Sequence, residues 1–204
     1  MLDFAGRVIL VTGAGRGMGA AHVAELARRG ARVVVNDLGA DLSGHGEDVE
    51  PAERVAAAIR ADGGEAVAHC GTVATESGCE SMIAASLEAY GRLDGVLHNA
   101  GNVSWVGVDR MDEQTLDEVL RVHLHGAVYL TRAAWPHLRD GGRVLYISSG
   151  AALYGTPTLA HYACAKAGVV GLARVVAAEG RGEGISANAL AVCASTRMMD
   201  SVLS

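Results

Sequence analysis

Six short runs of β-branched and aliphatic residues recur along the chain, and a longer stretch of helical pattern follows each of the first five. Arg7–Thr12, Ala31–Asn36, Glu65–Cys70, Leu93–His98, Arg143–Ser148 and Ile185–Leu190 read as strands. Gly17–Arg29, Pro51–Ala61, Thr75–Tyr90, Asp112–Leu138 and Thr158–Glu179 read as helices. Most of the runs are apolar without alternation, as in strands whose sheet is covered on both faces. Parallel neighbours need a crossover, usually a helix, so the pattern predicts an α/β fold: a Rossmann-like, doubly wound parallel sheet with right-handed crossovers. In the third helix Met82, Ile83, Ser86, Leu87 and Tyr90 form one stripe, expected to face the sheet.

No repeat or linker divides the 204 residues, so one domain over 1–204 is expected. Two places break the rhythm. Gly39–Glu50 is a polar insertion, long for a strand–helix loop and therefore either functional or mobile. Pro136 should kink or end the helix that contains it.

Composition excludes several classes. The net charge is −6 with no dense basic cluster, which argues against nucleic acid as a partner. No apolar run approaches a membrane span, and Asp3 stands where a signal peptide wants a base, so a cytoplasmic protein is expected. Cys70, Cys79, Cys164 and Cys193 form no Cys-x-x-Cys pair, and the eight histidines form no His-x-x-x-His pair. Reduced thiols and no metal are expected.

Thr12-Gly13-Ala14-Gly15-Arg16-Gly17-Met18-Gly19 joins the first strand to the first helix. Glycines there let the backbone turn sharply and approach a pyrophosphate, which the helix N-terminus attracts. Asp37 ends the second strand, about 20 residues beyond that turn, where a carboxylate accepts from adenosine ribose hydroxyls. It would repel a 2′-phosphate and so favours NAD. Arg16 argues mildly for NADP, unless it is a solvated loop side chain. NAD is the expected cofactor, with NADP as the lesser alternative.

Tyr162-Ala163-Cys164-Ala165-Lys166 places a phenol and an ammonium on one helix face. A nearby ammonium should lower the phenol's pKa, so that Tyr162 exchanges a proton with an alcohol or ketone as hydride moves. Ser149 follows the fifth strand, at the carboxyl edge where such sheets bind ligands, and can donate to the substrate oxygen. Ser148 is given a turn or capping role instead.

Together these residues resemble the short-chain dehydrogenase/reductase family. Thr12–Gly19 is similar to its Thr-Gly-x-x-x-Gly-x-Gly turn, and His98-Asn99-Ala100-Gly101 to its Asn-Asn-Ala-Gly motif. Ser149, Tyr162 and Lys166 fall on its Ser and Tyr-x-x-x-Lys. The resemblance implies that Gly13, Arg16, Gly17, Met18, Gly19, Asp37, Thr72, Val73, Asn99, Ala100, Gly101 and Thr196, with Tyr162 and Lys166, bind the cofactor. Val35-Asn36-Asp37-Leu38-Gly39, Arg121–Gly126 and Thr131–Trp135 further resemble the hydroxyacyl-CoA dehydrogenase domain of peroxisomal multifunctional enzyme type 2. That implies bulky secondary alcohols, 3-hydroxyacyl-CoA or steroids, as substrates.

The chain also departs from the family. His123 replaces an Asn that helps hold a relay water, and either joins the catalytic group or is simply packed. No acid follows the third strand at Cys70–Val73, and Val192-Cys193 stands where Pro-Gly is usual. The sequence ends at Ser204, so the family's last strand and substrate lid are expected to be lacking. The alternative function is thus a catalytically impaired NAD-binding or scaffold protein. Finally, Ala163–Ala178 carries only Lys166 and Arg174 as charges. A helix so apolar needs cover on more than one side, from this chain or from a second subunit, and a homodimer or homotetramer is expected.

Overall fold

The computed structural model describes residues 3–138 and 141–192. Six strands, β1 (Val8–Thr12), β2 (Arg32–Asn36), β3 (Glu65–His69), β4 (Gly95–His98), β5 (Arg143–Ser149) and β6 (Ser186–Val192), form one sheet in the order β3-β2-β1-β4-β5-β6. Every pairing is parallel. The helices are α1 (Gly17–Arg28), α2 (Glu50–Ala61), α3 (Glu76–Tyr90), α4 (Glu113–Leu120), α5 (Gly126–Ala134), α6 (Ala151–Tyr154) and α7 (Ala160–Glu179).

Burial explains the unbroken apolar strands. Val8 and Leu10 of β1 pack with Met82 and Ile83 of α3, Leu130 of α5 and Val169 of α7. Val11 packs on the opposite face, with Val23 of α1 and Ala56 and Ile59 of α2. The α3 stripe behaves as read: Met82, Ile83 and Ser86 are buried, and Leu87 and Tyr90 lean on the same core. The hydroxyl of Thr75 caps α3 by accepting from the Gly78 N–H at 3.1 Å, and Asp112 caps α4 through the Thr115 N–H at 2.8 Å.

Strand limits differ from expectation by one or two residues, and the expected helix Asp112–Leu138 is helical without a break over 113–137, though not α-helical throughout. Arg121–His125 widens into a π turn, and Pro136 lies in a terminal 3₁₀ turn at Trp135–His137. The proline ends the helix rather than kinking it. The short α6 carries no sequence periodicity and was not expected. Cys193 and Thr196 lie outside the described residues.

Strand order reverses direction between β1 and β4. Crossovers leave these two strands toward opposite flanks, which opens a crevice at their carboxyl ends.

Candidate active site

The crevice is a cleft of about 810 Å³ that begins at the glycine turn and ends at Tyr162. Gly13, Arg16, Gly17, Met18, Gly19, Asp37, Thr72, Val73, Asn99, Ala100 and Gly101 all line it. So do His123, Ser149, Tyr162 and Lys166. Sequence elements as far apart as Gly13 and Lys166 therefore converge on one surface, which spacing alone could not show.

At the nucleotide end, Gly13 takes φ +63°, a conformation that side chains rarely adopt. A Cβ on Gly19 would overlap the Gly13 carbonyl, so only glycine permits this close approach. Buried Thr12 holds the turn, its Oγ1 accepting from the Asn99 and Ala100 N–H groups at 3.1 Å each. The Asn99 amide donates to the carbonyls of Thr12 (3.1 Å) and Gly13 (2.9 Å). A glycine-rich backbone cradle at the start of α1 fits a dinucleotide pyrophosphate. Asp37 sits beside it and accepts from the N–H groups of Gly15 (2.8 Å) and Gly39 (2.7 Å). Arg16 is not a free solvated side chain. Its guanidinium donates to the carbonyls of Ala40 (3.0 Å) and Gly39 (3.4 Å). Thr72 makes a local turn, accepting from the Ala74 N–H at 3.1 Å.

At the other end, β5 delivers Ser149 and α7 delivers Tyr162 and Lys166. Ser148 turns away, its hydroxyl donating to the Lys166 carbonyl at 2.9 Å. Ser149 faces the cleft, and its Oγ accepts from the Ala151 N–H at 3.2 Å. Lys166 is 3% exposed; its Nζ donates to the Ile147 carbonyl at 2.7 Å and lies 5.6 Å from the Tyr162 ring centroid. Burial depresses its pKa to about 7. The expected lowering of Tyr162 is not what this geometry gives. Burial pushes the phenol above its ordinary value, and the Ser149 hydrogen bond draws it back only in part. Loss of solvation is the dominant influence on this phenol.

His123 lies in the π turn, fully buried, with its ring edge-on to Tyr162 at 5.1 Å. Its Nε2–H donates to the Asn102 carbonyl at 2.8 Å, since a carbonyl can only accept. Its Nδ1 is a buried acceptor without a partner. Burial, and then the Lys166 charge, hold its pKa well below the ordinary histidine value. His98 is likewise pushed down to about 3 by burial and Lys166, and its Nε2 approaches the His123 carbonyl at 3.2 Å.

Three contributors escaped the sequence reading. Asn102 ties the Gly39–Glu50 segment to α4, donating to the carbonyls of Ser43 and Glu118 at 3.3 Å each. Its place directly after Asn99–Gly101 was the available signal. His161 bonds Ser104 at 2.8 Å and so fixes the loop that carries Trp105 into the cleft wall. Tyr154 of α6 lines the same end and is 88% exposed.

Comparison with known proteins agrees with this geometry. The family model described as short chain dehydrogenase matches residues 7–203. The chain is 43% identical over 204 residues to peroxisomal multifunctional enzyme type 2 of Mus musculus, covering 99% of this chain but 27% of that enzyme. A crystal structure of a short chain dehydrogenase from Mycobacterium avium superposes with a TM-score of 0.88 at 39% identity, over 97% of this chain and 70% of the other. One from Burkholderia cenocepacia, solved in complex with NADP, gives 0.88 at 29% identity, over 97% and 78%. With its sheet order, its glycine cradle and these likenesses, the chain belongs to the short chain dehydrogenase family, oxidoreductases that act on CH–OH groups with a nicotinamide cofactor.

Proposed function

We propose that the protein transfers a hydride between NAD and a bulky secondary alcohol or ketone, with Tyr162 as general acid/base. The observation that carries this reading is the convergence of Ser149, Tyr162 and Lys166 at one end of the cleft that begins at the glycine cradle. Gly13–Gly19, Asn99–Gly101, Thr72 and Val73 would hold the dinucleotide, and Thr196 is assigned to it from the family motif. When bound, the nicotinamide supplies the hydride acceptor or donor and, when oxidised, a positive ring beside Tyr162.

The chain's own groups do the rest. Tyr162 takes the alcohol proton in oxidation and returns it in reduction. Ser149 gives its one hydroxyl proton to the ionised phenol in the free enzyme and to the substrate oxygen once substrate is bound. Lys166, anchored on the Ile147 carbonyl, holds the nicotinamide ribose. His123 supplies a fixed neutral imidazole against the back of Tyr162, with Nδ1 free to accept a proton-relay hydrogen bond.

Asp37 supports NAD over NADP, because a carboxylate at the ribose repels a 2′-phosphate. Arg16 supports it too, since bonds to the Ala40 and Gly39 carbonyls hold its fork toward the loop. Trp105, Tyr154 and Leu159 give the substrate end an apolar wall. That suits an acyl chain or a ring system, such as the 3-hydroxyacyl-CoA or steroid alcohols implied by the resemblance. The described cysteines Cys70, Cys79 and Cys164 are free thiols, which fits a reducing compartment such as the cytoplasm. Among the described residues no helix is long and apolar enough to cross a membrane.

The test is NADH and NADPH absorbance with 3-hydroxyacyl-CoAs, steroid alcohols and small secondary alcohols. Turnover with NAD and a bulky alcohol is expected. Faster use of NADP would overturn the cofactor assignment. Silence across the panel with NADH still bound would favour a dinucleotide-binding scaffold.

A further inference from the structure

Between Asp37 and α2 the chain does not take the short path. Residues 40–45 run along the cleft wall. One side is fastened at the glycine turn by the two Arg16 bonds to Gly39 and Ala40. The other is fastened beyond β4, where the Leu42 carbonyl accepts from the Val103 N–H at 3.1 Å and the Ser43 carbonyl from the Asn102 amide at 3.3 Å. Asp41 knots the tip, accepting from the N–H groups of Ser43 (2.9 Å) and His45 (3.0 Å). At the base the Asp48 N–H donates to the Leu38 carbonyl at 2.9 Å. The segment is a strap across the nucleotide end of the cleft.

Asn102 is committed to this fastening. Both hydrogens of its amide point at carbonyls, those of Ser43 and Glu118, so a flipped amide would set oxygen against oxygen. Arg16 is committed too. A 2′-phosphate is best bound by a guanidinium fork with donors to spare. Here one hydrogen of each terminal guanidinium nitrogen goes to a neutral carbonyl, which fixes the direction of the fork. The Asp37 carboxylate ties the glycine turn to the start of the strap through the Gly15 and Gly39 N–H groups.

We propose that the strap is a cofactor-selectivity device: latched by Asn102, it keeps Arg16 on the carbonyls of Gly39 and Ala40 and so disfavours a 2′-phosphorylated dinucleotide. Asn102 is a positioning residue, acting on the choice of cofactor through the strap and Arg16. This rests on the NAD reading above and adds a mechanism to it. Releasing the latch should free Arg16 for a phosphate while removing part of the wall that NAD uses.

The test is calorimetric titration with NADH and NADPH, which reads binding and not turnover. Wild type should prefer NADH. Asn102→Ala should weaken NADH and tighten NADPH, changing the ratio of the two affinities by about tenfold, the worth of one good charge-assisted contact. Arg16→Ala added to Asn102→Ala should remove the gain for NADPH. Gly44→Val disturbs the strap without touching the core: Gly44 has φ +94°, and an added Cβ would lie 3.3 Å from the Asn102 amide nitrogen. It should shift the ratio in the same direction. Hydrogen exchange at the Val103 and His45 amides should quicken in both single variants. If NADH and NADPH affinities fall equally while those amides exchange faster, the strap is structural only and the proposal fails. A wild-type chain that prefers NADPH contradicts the NAD reading, and this proposal with it.

Discussion

Tyr162 sits where a phenol ionises reluctantly, and Ser149 is the protein group that works against that burial. A hydrogen bond to the ionised form lowers a pKa, so removing it raises the pKa. Ser149→Ala should therefore move the acid limb of the kcat/KM profile for alcohol oxidation to higher pH, besides slowing the reaction by roughly 10²-fold or more. An unshifted limb would mean that Ser149 does not serve Tyr162. Lys166 gives a second prediction. Its folded pKa of about 7 lies below its ordinary 10.5, so between these values the unfolded chain binds the extra proton. Wild-type stability should then rise with pH across that window relative to Lys166→Met, as read by urea midpoints. A flat difference would show the ammonium to be solvated. Ser149, Tyr162 and Lys166 were legible because their chemistry repeats a spacing along the chain. Asn102 and His161 were not, because their importance lies in partners at Ser43 and Ser104, which only the folded chain brings near.

At the scale of elements, the expected helix Asp112–Leu138 agrees with the structure in extent but not in uniform type. The apolar period of α4 continues into α5 almost without a break, and a π turn adds one residue to a turn without any composition of its own. That widening directs His123 inward beneath Gly101, where an added Cβ would overlap its ring. The apolar reading of α7 was sound on one side: Val169, Ala173 and Val176 are buried in the core. Gly171 and Val175 are exposed, and an added Cβ on Gly171 meets nothing within 4 Å. We expect a second subunit to cover this face in a homodimer or homotetramer. Gly171→Glu has room in the single chain, so it should dissociate the oligomer in sedimentation without lowering the melting temperature of the subunit. A wild-type monomer would show that this face needs no cover.

For the whole molecule, the doubly wound parallel sheet followed from simple physics, and the structure supplied its strand order. Runs apolar on both faces demanded helices on both sides, and parallel crossovers left the crevice between β1 and β4. The sequence pattern carried that much, together with both ends of the cleft. What it could not carry was the link between them. Gly39–Glu50 read as a polar insertion, yet carbonyls of residues 39–43 fasten it to Arg16, Asn102 and Val103. Backbone acceptors leave no trace in residue identity. The cleft as a whole is argued to carry out one reaction, hydride transfer coupled to proton exchange at Tyr162. The direct test is Tyr162→Phe, with NADH formation from a bulky secondary alcohol and NADH binding measured on the same protein. Turnover should fall at least ~10²- to 10⁴-fold, the usual contribution of a general acid/base, while the dinucleotide still binds. Turnover equal to wild type would contradict the central claim.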